Sequence, residues 1–194
     1  MPGRPFRGTD PLRPDDAYGR AKLATERALA TVAADTGLEL VILRPPLVYG
    51  PGVGGNFRAL LRLAGSCLPL PFAAIDNRRS LIFLDNLVDL VAVCVRHPNA
   101  AGRVLLARDG ADLSIAALIR ILARGQGRNA WLFAVPDAVF ALLRALPGLG
   151  PALARLTLSL QVDDAATRAA LGWTPPVAAE AGLIATARAH LSDL

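Results

Sequence analysis

Cysteine, histidine and lysine are scarce in this 194-residue chain. The two cysteines, Cys67 and Cys94, form no C-x-x-C pair and have no histidine at ligand spacing, so they support neither a disulfide framework nor a zinc site and read as reduced packing residues. The two histidines, His97 and His190, are equally isolated. Each falls near the end of an expected helix, where a cation suits the helix dipole, and neither is assigned to a metal or to base catalysis. Aromatic residues are only 5% of the chain and the arginines are scattered, so a net charge of +5 does not mark a nucleic-acid surface. It suits small anions such as nucleotide diphosphates. Although the mean hydropathy is +0.40, no run reaches the roughly 20 apolar residues of a membrane span. The most apolar region, 130–160, is broken by Pro136, Asp137, Arg144, Pro147, Pro151 and Arg155. The first 16 residues have arginines, prolines and acids but no apolar core of a secretory signal, so a cytoplasmic location is expected.

What is present is 53% apolar residues, enough for a packed domain or a large part of one. A helix is expected from Asp15 or Asp16 to Thr36, closed by Gly37, followed by a buried strand over 38–43 and a Gly/Pro loop over 49–55. A helix over 56–64, a strand over 80–84, a helix capped by Asp85 and ending near His97, and a β-like run over 103–107 come next. Ser114 is placed to cap a helix through Ala123, and helices follow over 137–146, 164–171 and 178–191, with a short strand near 158–162. Helix alternating with buried strand is the rhythm of an α/β fold.

Tyr18 and Lys22 lie four apart, so on a helix they share a face. An ammonium near a phenol favours the phenolate, and such a tyrosine exchanges a proton with a hydroxyl while a nicotinamide handles the hydride. A Tyr/Lys pair at this spacing also arises by chance on surface helices. Here, however, it contains the only lysine of a chain with 20 arginines, and a compact ammonium is what arginine cannot supply.

The stretch from Asp10 through Tyr18 and Lys22 to Glu26 resembles the Y-x-x-x-K helix of extended short-chain dehydrogenases. Leu43-Arg44-Pro45-Pro46-Leu47-Val48-Tyr49-Gly50-Pro51-Gly52 is similar to the strand and loop beside the nicotinamide in the NAD-dependent epimerase/dehydratase family. The block from Arg79 to Asp89, and Asp163 with Leu171-Gly172-Trp173-Thr174-Pro175, resemble two later family signatures. The resemblance implies the C-terminal part of a Rossmann-type doubly wound sheet plus a small mixed substrate-binding lobe. It implies one incomplete domain over 1–194, with about 1–50 the remainder of the cofactor sheet and 51–194 mainly substrate lobe. Tyr18 would be the acid/base, Lys22 its partner and a ligand of the nicotinamide ribose, and Pro45 a wall of the nicotinamide pocket. Arg79 would grip the substrate pyrophosphate, with Arg155 a second phosphate contact. Asn56, at an expected helix start, is either a polar substrate contact or a helix cap.

The implied function is that of an NAD- or NADP-dependent oxidoreductase acting on a nucleotide-diphosphate sugar, a UDP-sugar 4-epimerase or 4-ketoreductase, with a homodimer plausible for the family. The other reading is a non-catalytic fragment that binds a sugar nucleotide or a protein. Only 17 residues precede Tyr18, whereas the family's glycine fingerprint stands on the order of 100 residues before it. An upstream serine or threonine of the proton-transfer set is also lacking, since Thr9 is too close. The segment is therefore expected to be truncated at its N-terminal side. Gly50-Pro51-Gly52-Val53-Gly54-Gly55 spells G-x-G-x-x-G, with Asp76 downstream. The strand that should lie between them contains Pro69 and Pro71, so the loop reads as substrate-side instead. Leu47 stands where several sugar-nucleotide enzymes of the family have asparagine, which points to altered sugar contacts.

Overall fold

The computed structural model describes residues 4–145 and 150–192. It is a mixed α/β structure in which α1 (Ala17–Thr36), β1 (Ile42–Arg44), β2 (Leu47–Tyr49) and α2 (Gly55–Ala64) are followed by β3 (Leu81–Phe83), α3 (Leu84–Arg96) and β4 (Val104–Leu106). The helices α4 (Ile115–Gly125), α5 (Asp137–Arg144), α6 (Gly150–Thr157), α7 (Ala165–Leu171) and α8 (Ala179–Ser192) complete it. The strands form two parallel pairs, β1 with β4 and β2 with β3, in registers that set Leu43 beside Leu105 and Val48 beside Ile82.

Alternation along these strands feeds two cores. Tyr49, Leu81 and Phe83 point into one, shared with Phe57 and Leu61 of α2, Ile119 and Leu122 of α4, and Leu183 of α8. Val48 and Ile82 point the other way, toward Leu90 of α3, Leu105, Leu171 and Trp173. Helix α4 is buried along one face because its apolar positions repeat at helical spacing, and Ile119 and Leu122 are fully covered. Each such side chain contributes about 1.5–3 kcal/mol. Packing of α4 against α8 is close: a Cβ on Gly125 would lie 2.7 Å from that of Ala187.

Two family-signature blocks hold each other. The Asn86 amide donates to Val177 O at 2.8 Å and its carbonyl accepts from Val177 N at 2.9 Å, while Trp173 Nε1 donates to Asp89 at 2.8 Å. The block from Arg79 to Asp89 and the one ending at Pro175 are thus the two sides of one seam.

Several boundaries differ from expectation. The strand expected over 38–43 is confined to Ile42–Arg44, where partners on β4 exist. Asp85 does not cap α3: the N-cap is Phe83, and Asp85 stands in the first turn, where its charge suits the dipole. Residues 158–162 form isolated bridges, Leu160 with Arg79 and Val162 with Phe6, instead of a strand. Strand β2 and helix α6 were not expected. Cys94 is buried, whereas Cys67 is exposed in a left-handed conformation at φ 55°, so only Cys94 is a packing residue. Position 146, at the end of the helix expected over 137–146, lies outside the described residues. Among the described residues no helix is long and apolar enough to cross a membrane, and no group of side chains could hold a metal ion.

Candidate active site

Helix α1 begins where Asp16 Oδ1 accepts from Gly19 N at 2.7 Å, a capping bond that fixes the first turn beneath Tyr18. Gly19 is needed there, since a Cβ would meet Pro14 Cβ at 2.9 Å and Asp16 Oδ1 at 3.1 Å. The Lys22 ammonium lies 5.5 Å from the Tyr18 ring centroid, within cation–π range. Tyr18 is 71% exposed, Lys22 is exposed, and α1 buries no residue. What ties the helix to the sheet is an ion pair: Arg44 of β1 donates from Nε and Nη2 to the two carboxylate oxygens of Glu26, at 3.0 and 2.5 Å. Arg44 also reaches Gly8 O at 3.3 Å.

Asn56, Arg79 and Arg155 meet around a cavity of about 400 Å³, with Leu47 on the same lining. Its remaining walls are apolar, from Phe57, Leu60, Ile115, Leu118 and Leu156 among others. Asn56 is not a cap: α2 has Gly54 at its N-cap and no side-chain capping bond. Arg79 donates from Nη1 to the backbone carbonyls of Arg155 and, at 3.1 Å, of Leu158. Burial holds its pKa below the ordinary arginine value, yet guanidinium stays protonated at physiological pH. No carboxylate lines the cavity, and none pairs with Arg79 among the described residues. The lining does not include Tyr18, Lys22 or Pro45; Pro45 is exposed in the short link between β1 and β2. The structure therefore gathers the candidates into two groups, one on α1 and one around the cavity.

Sequence reasoning missed the residues that hold the cavity's shape. Asn77, 4% exposed, donates to Leu156 O at 2.9 Å and Leu158 O at 3.3 Å and accepts from Ile115 N at 2.8 Å. It fastens the segment bearing Arg155 to the start of α4. Asp109 accepts from Tyr49 at 2.6 Å, from Asn86 at 2.7 Å and from Phe83 N at 3.0 and 2.9 Å. Burial and the bond to Asp109 push the Tyr49 phenol far above its usual value, which makes it a fixed donor and not a second acid/base. No sequence signal marked these, since Asn77 stands between Asp76 and Arg78 and Asp109 between Arg108 and Gly110; their partners are as far as 79 and 81 positions away.

The model of the NAD dependent epimerase/dehydratase family matches residues 1–107. A UDP-glucose 4-epimerase of Vibrio cholerae is 43% identical over 190 residues, covering 97% of this chain and 58% of that protein. Among solved structures, UDP-glucuronic acid 4-epimerase from Bacillus cereus in complex with NAD superposes with a TM-score of 0.73 at 18% identity, over 97% of this chain and 56% of that one. UDP-glucose 4-epimerase from Thermotoga maritima with UDP-glucose gives 0.70 at 21%, over 97% and 58%. The chain thus spans little more than half the length of these proteins, and the two superpositions show a shared Rossmann-type fold. From the family match and the Vibrio relative together, the chain belongs to the NAD dependent epimerase/dehydratase family.

Proposed function

We propose that this chain carries the substrate lobe and the tyrosine–lysine helix of an NAD(P)-dependent oxidoreductase acting on a nucleotide-diphosphate sugar, of the UDP-sugar 4-epimerase or 4-ketoreductase kind. The supporting observation is Arg79: a partly buried cation without a carboxylate partner among the described residues, on the lining of an otherwise apolar cavity. Such a cavity suits a base and sugar with a diphosphate between them, because a guanidinium fork matches phosphate oxygens and apolar walls suit ring faces. Arg155 adds a second cation and Asn56 a donor and acceptor. Similarity to a UDP-glucose 4-epimerase supports the same substrate class.

Tyr18, Lys22 and Pro45 are the residues that would face the cofactor. They fit that role in one respect: the Lys22 ammonium has no carboxylate partner among the described residues, so its donors are available to ribose hydroxyls. Hydride transfer at C4 of the sugar is the chemistry that a bound nicotinamide would supply. Tyr18 takes or returns the proton of the C4 hydroxyl, and Lys22 provides positive charge on the same helix face. Residues 1–50 belong to the cofactor half and 51–194 mainly to the substrate lobe, the reaction is cytoplasmic, and two copies pair through the uncovered α1.

A titration of the chain with UDP-glucose tests this reading. Arg79→Ala should weaken binding by about tenfold or more, as loss of a charge-assisted hydrogen bond requires, while Tyr18→Phe leaves it unchanged. Equal affinity in wild type and Arg79→Ala would remove the reading. A second reading, a sugar-nucleotide binder without turnover, is favoured by the 71% exposure of Tyr18. It predicts UDP-glucose binding with no hydride transfer when NAD or NADP is added.

A further inference from the structure

One rim of the structure gathers large apolar side chains that the described residues leave uncovered. Residues 70–73 run beside 131–133: Leu70 N donates to Trp131 O at 2.8 Å, Phe133 N to Leu70 O at 3.0 Å and Ala73 N to Phe133 O at 3.0 Å. Leu70 and Leu132, paired across this bridge, pack inward on the core. Alternation along the extended backbone turns Trp131 and Phe133 the other way, and both are exposed, Trp131 by 65%. Leu68, just before the bridge, is 60% exposed. Helix α5 follows directly, anchored by Phe140, whose ring stacks on that of Phe72 at 5.9 Å between centroids, while Val139 and Leu142 stand exposed.

Single apolar residues are ordinary on a protein surface, whereas a cluster of them marks a surface that something else covers. Charge narrows what that is. Segments 57–75 and 113–136 contain Arg58, Arg62, Arg120, Arg124 and Arg128 and no aspartate or glutamate. Arg128 donates to Gly65 O and, at 3.5 Å, to Cys67 Sγ, which holds its guanidinium beside Leu68. Arg62 stands exposed in the last turn of α2, the helix that leads into the rim. Neither Arg62 nor Arg128 pairs with a carboxylate among the described residues. The covering surface must therefore be apolar and anionic at once. A bilayer with acidic headgroups presents both in one plane, hydrocarbon for the tryptophan and leucines and phosphates for the arginines. Tryptophan suits that boundary, because its ring is apolar and its N–H reaches the headgroups. Arginine suits it too, with a stem that lies along apolar surface and a fork that matches phosphate.

We propose that this rim, formed by Leu68, Trp131, Phe133 and the outer face of α5 with Arg62 and Arg128 beside it, docks the chain on a membrane surface rich in anionic lipid. Among the described residues no helix is long and apolar enough to cross a bilayer, so the contact stays at the boundary between headgroups and acyl chains. This assignment does not depend on what the cavity binds.

The chain's two tryptophans make the test direct. Trp131 lies on the rim, whereas Trp173 is 4% exposed, donates to Asp89 and serves as internal reference. The full chain is mixed at low ionic strength with vesicles of phosphatidylcholine and phosphatidylglycerol in equal parts and, as control, with vesicles of phosphatidylcholine alone. It should sediment with the anionic vesicles, and brominated acyl chains should quench its fluorescence. Trp131→Phe should abolish the quenching while binding persists, since Trp173 stays shielded. Trp131→Ser should weaken binding about tenfold or more, as loss of a large apolar contact requires. Replacing Arg62 and Arg128 together by glutamine should remove most of the preference for anionic vesicles. If Trp131→Ser changes the emission of Trp173, betraying a disturbed fold, Leu68→Gln takes its place. No sedimentation, equal binding to both kinds of vesicle, or a rim variant that binds as wild type does overturns the assignment. So does a chain that dimerises without vesicles and becomes monomeric with Trp131→Ser, which would give the rim to a second copy.

Discussion

Helices α1 and α4 lie in the same chain and are built in opposite ways. The 20 residues of α1 bury no side chain, and Leu29 and Val32 stand 42% and 46% exposed. The 11 residues of α4 bury seven, and Ile119, Leu122 and Ala123 are fully covered. Helix α4 thus draws its stability from tertiary packing against α2 and α8, whereas α1 has a cap at Asp16, a left-handed glycine close at Gly37 and the Glu26–Arg44 pair. The difference separates the two groups of candidate residues as well: the cavity with Asn56, Arg79 and Arg155 is walled by the well-packed region, while Tyr18 and Lys22 sit on the uncovered helix. The cavity is held in shape within this chain. Tyr18 and Lys22 stand on a helix that buries no residue, in a chain that spans 58% of the Vibrio relative's length.

The largest test of that contrast is a core truncation in the packed region. Leu122→Ala removes a fully buried side chain between α2 and α8 and should cost about 2–5 kcal/mol in denaturant unfolding. Asp109→Ala should be similarly severe, about 3 kcal/mol or more, because Tyr49, Asn86 and Phe83 N lose their common acceptor. Gly125→Ala forces α4 and α8 apart at the 2.7 Å approach to Ala187 and should cost about 1–3 kcal/mol. The equivalent change on α1, Leu29→Ala, should stay within about 0.5 kcal/mol. A Leu29→Ala cost comparable with that of Leu122→Ala would erase the distinction.

Acid should reach the packed region through Asp112. Burial alone would raise its pKa, but hydrogen bonds from Ser80 and Gln161 and the Arg108 guanidinium outweigh it and hold the carboxyl below its usual value. Its stabilising effect is therefore complete above the unfolded value of about 3.9 and is lost as pH falls through the depressed folded value. Asp112→Asn should flatten the stability profile in that acid window and lower stability near neutrality. A variant whose profile keeps the wild-type acid slope would show that other carboxylates govern it.

Much of this was legible from the chain alone, for reasons that vary by residue. Helix α1 was readable because Asp16 and Gly37 mark its ends, and α4 because Ser114 does cap it, accepting from Ala117 N at 3.1 Å. Arg79, Asn56 and Arg155 came from motif position, and the structure brings all three to one lining. Strand β2 was not readable: three residues after a Pro-Pro pair carry too little periodicity, and its pairing with β3 is remote in sequence. Asn77 and Asp109 were hidden for the same reason, since a buried polar residue reveals its role only through partners that the fold brings near. Asp85 misled because a residue that favours caps also favours the first turn.

The most direct measurement of the contrast between the two regions is amide hydrogen exchange of this chain with and without UDP-glucose. The expected result is strong protection in α4 and α8, rapid exchange along α1, and added protection on ligand binding in α2 and the start of α4 with α1 unchanged. An α1 as protected as α4 in the free chain, or a ligand that protects α1 and leaves α2 untouched, would contradict a packed cavity region joined to an uncovered α1 and the binding proposed for that cavity.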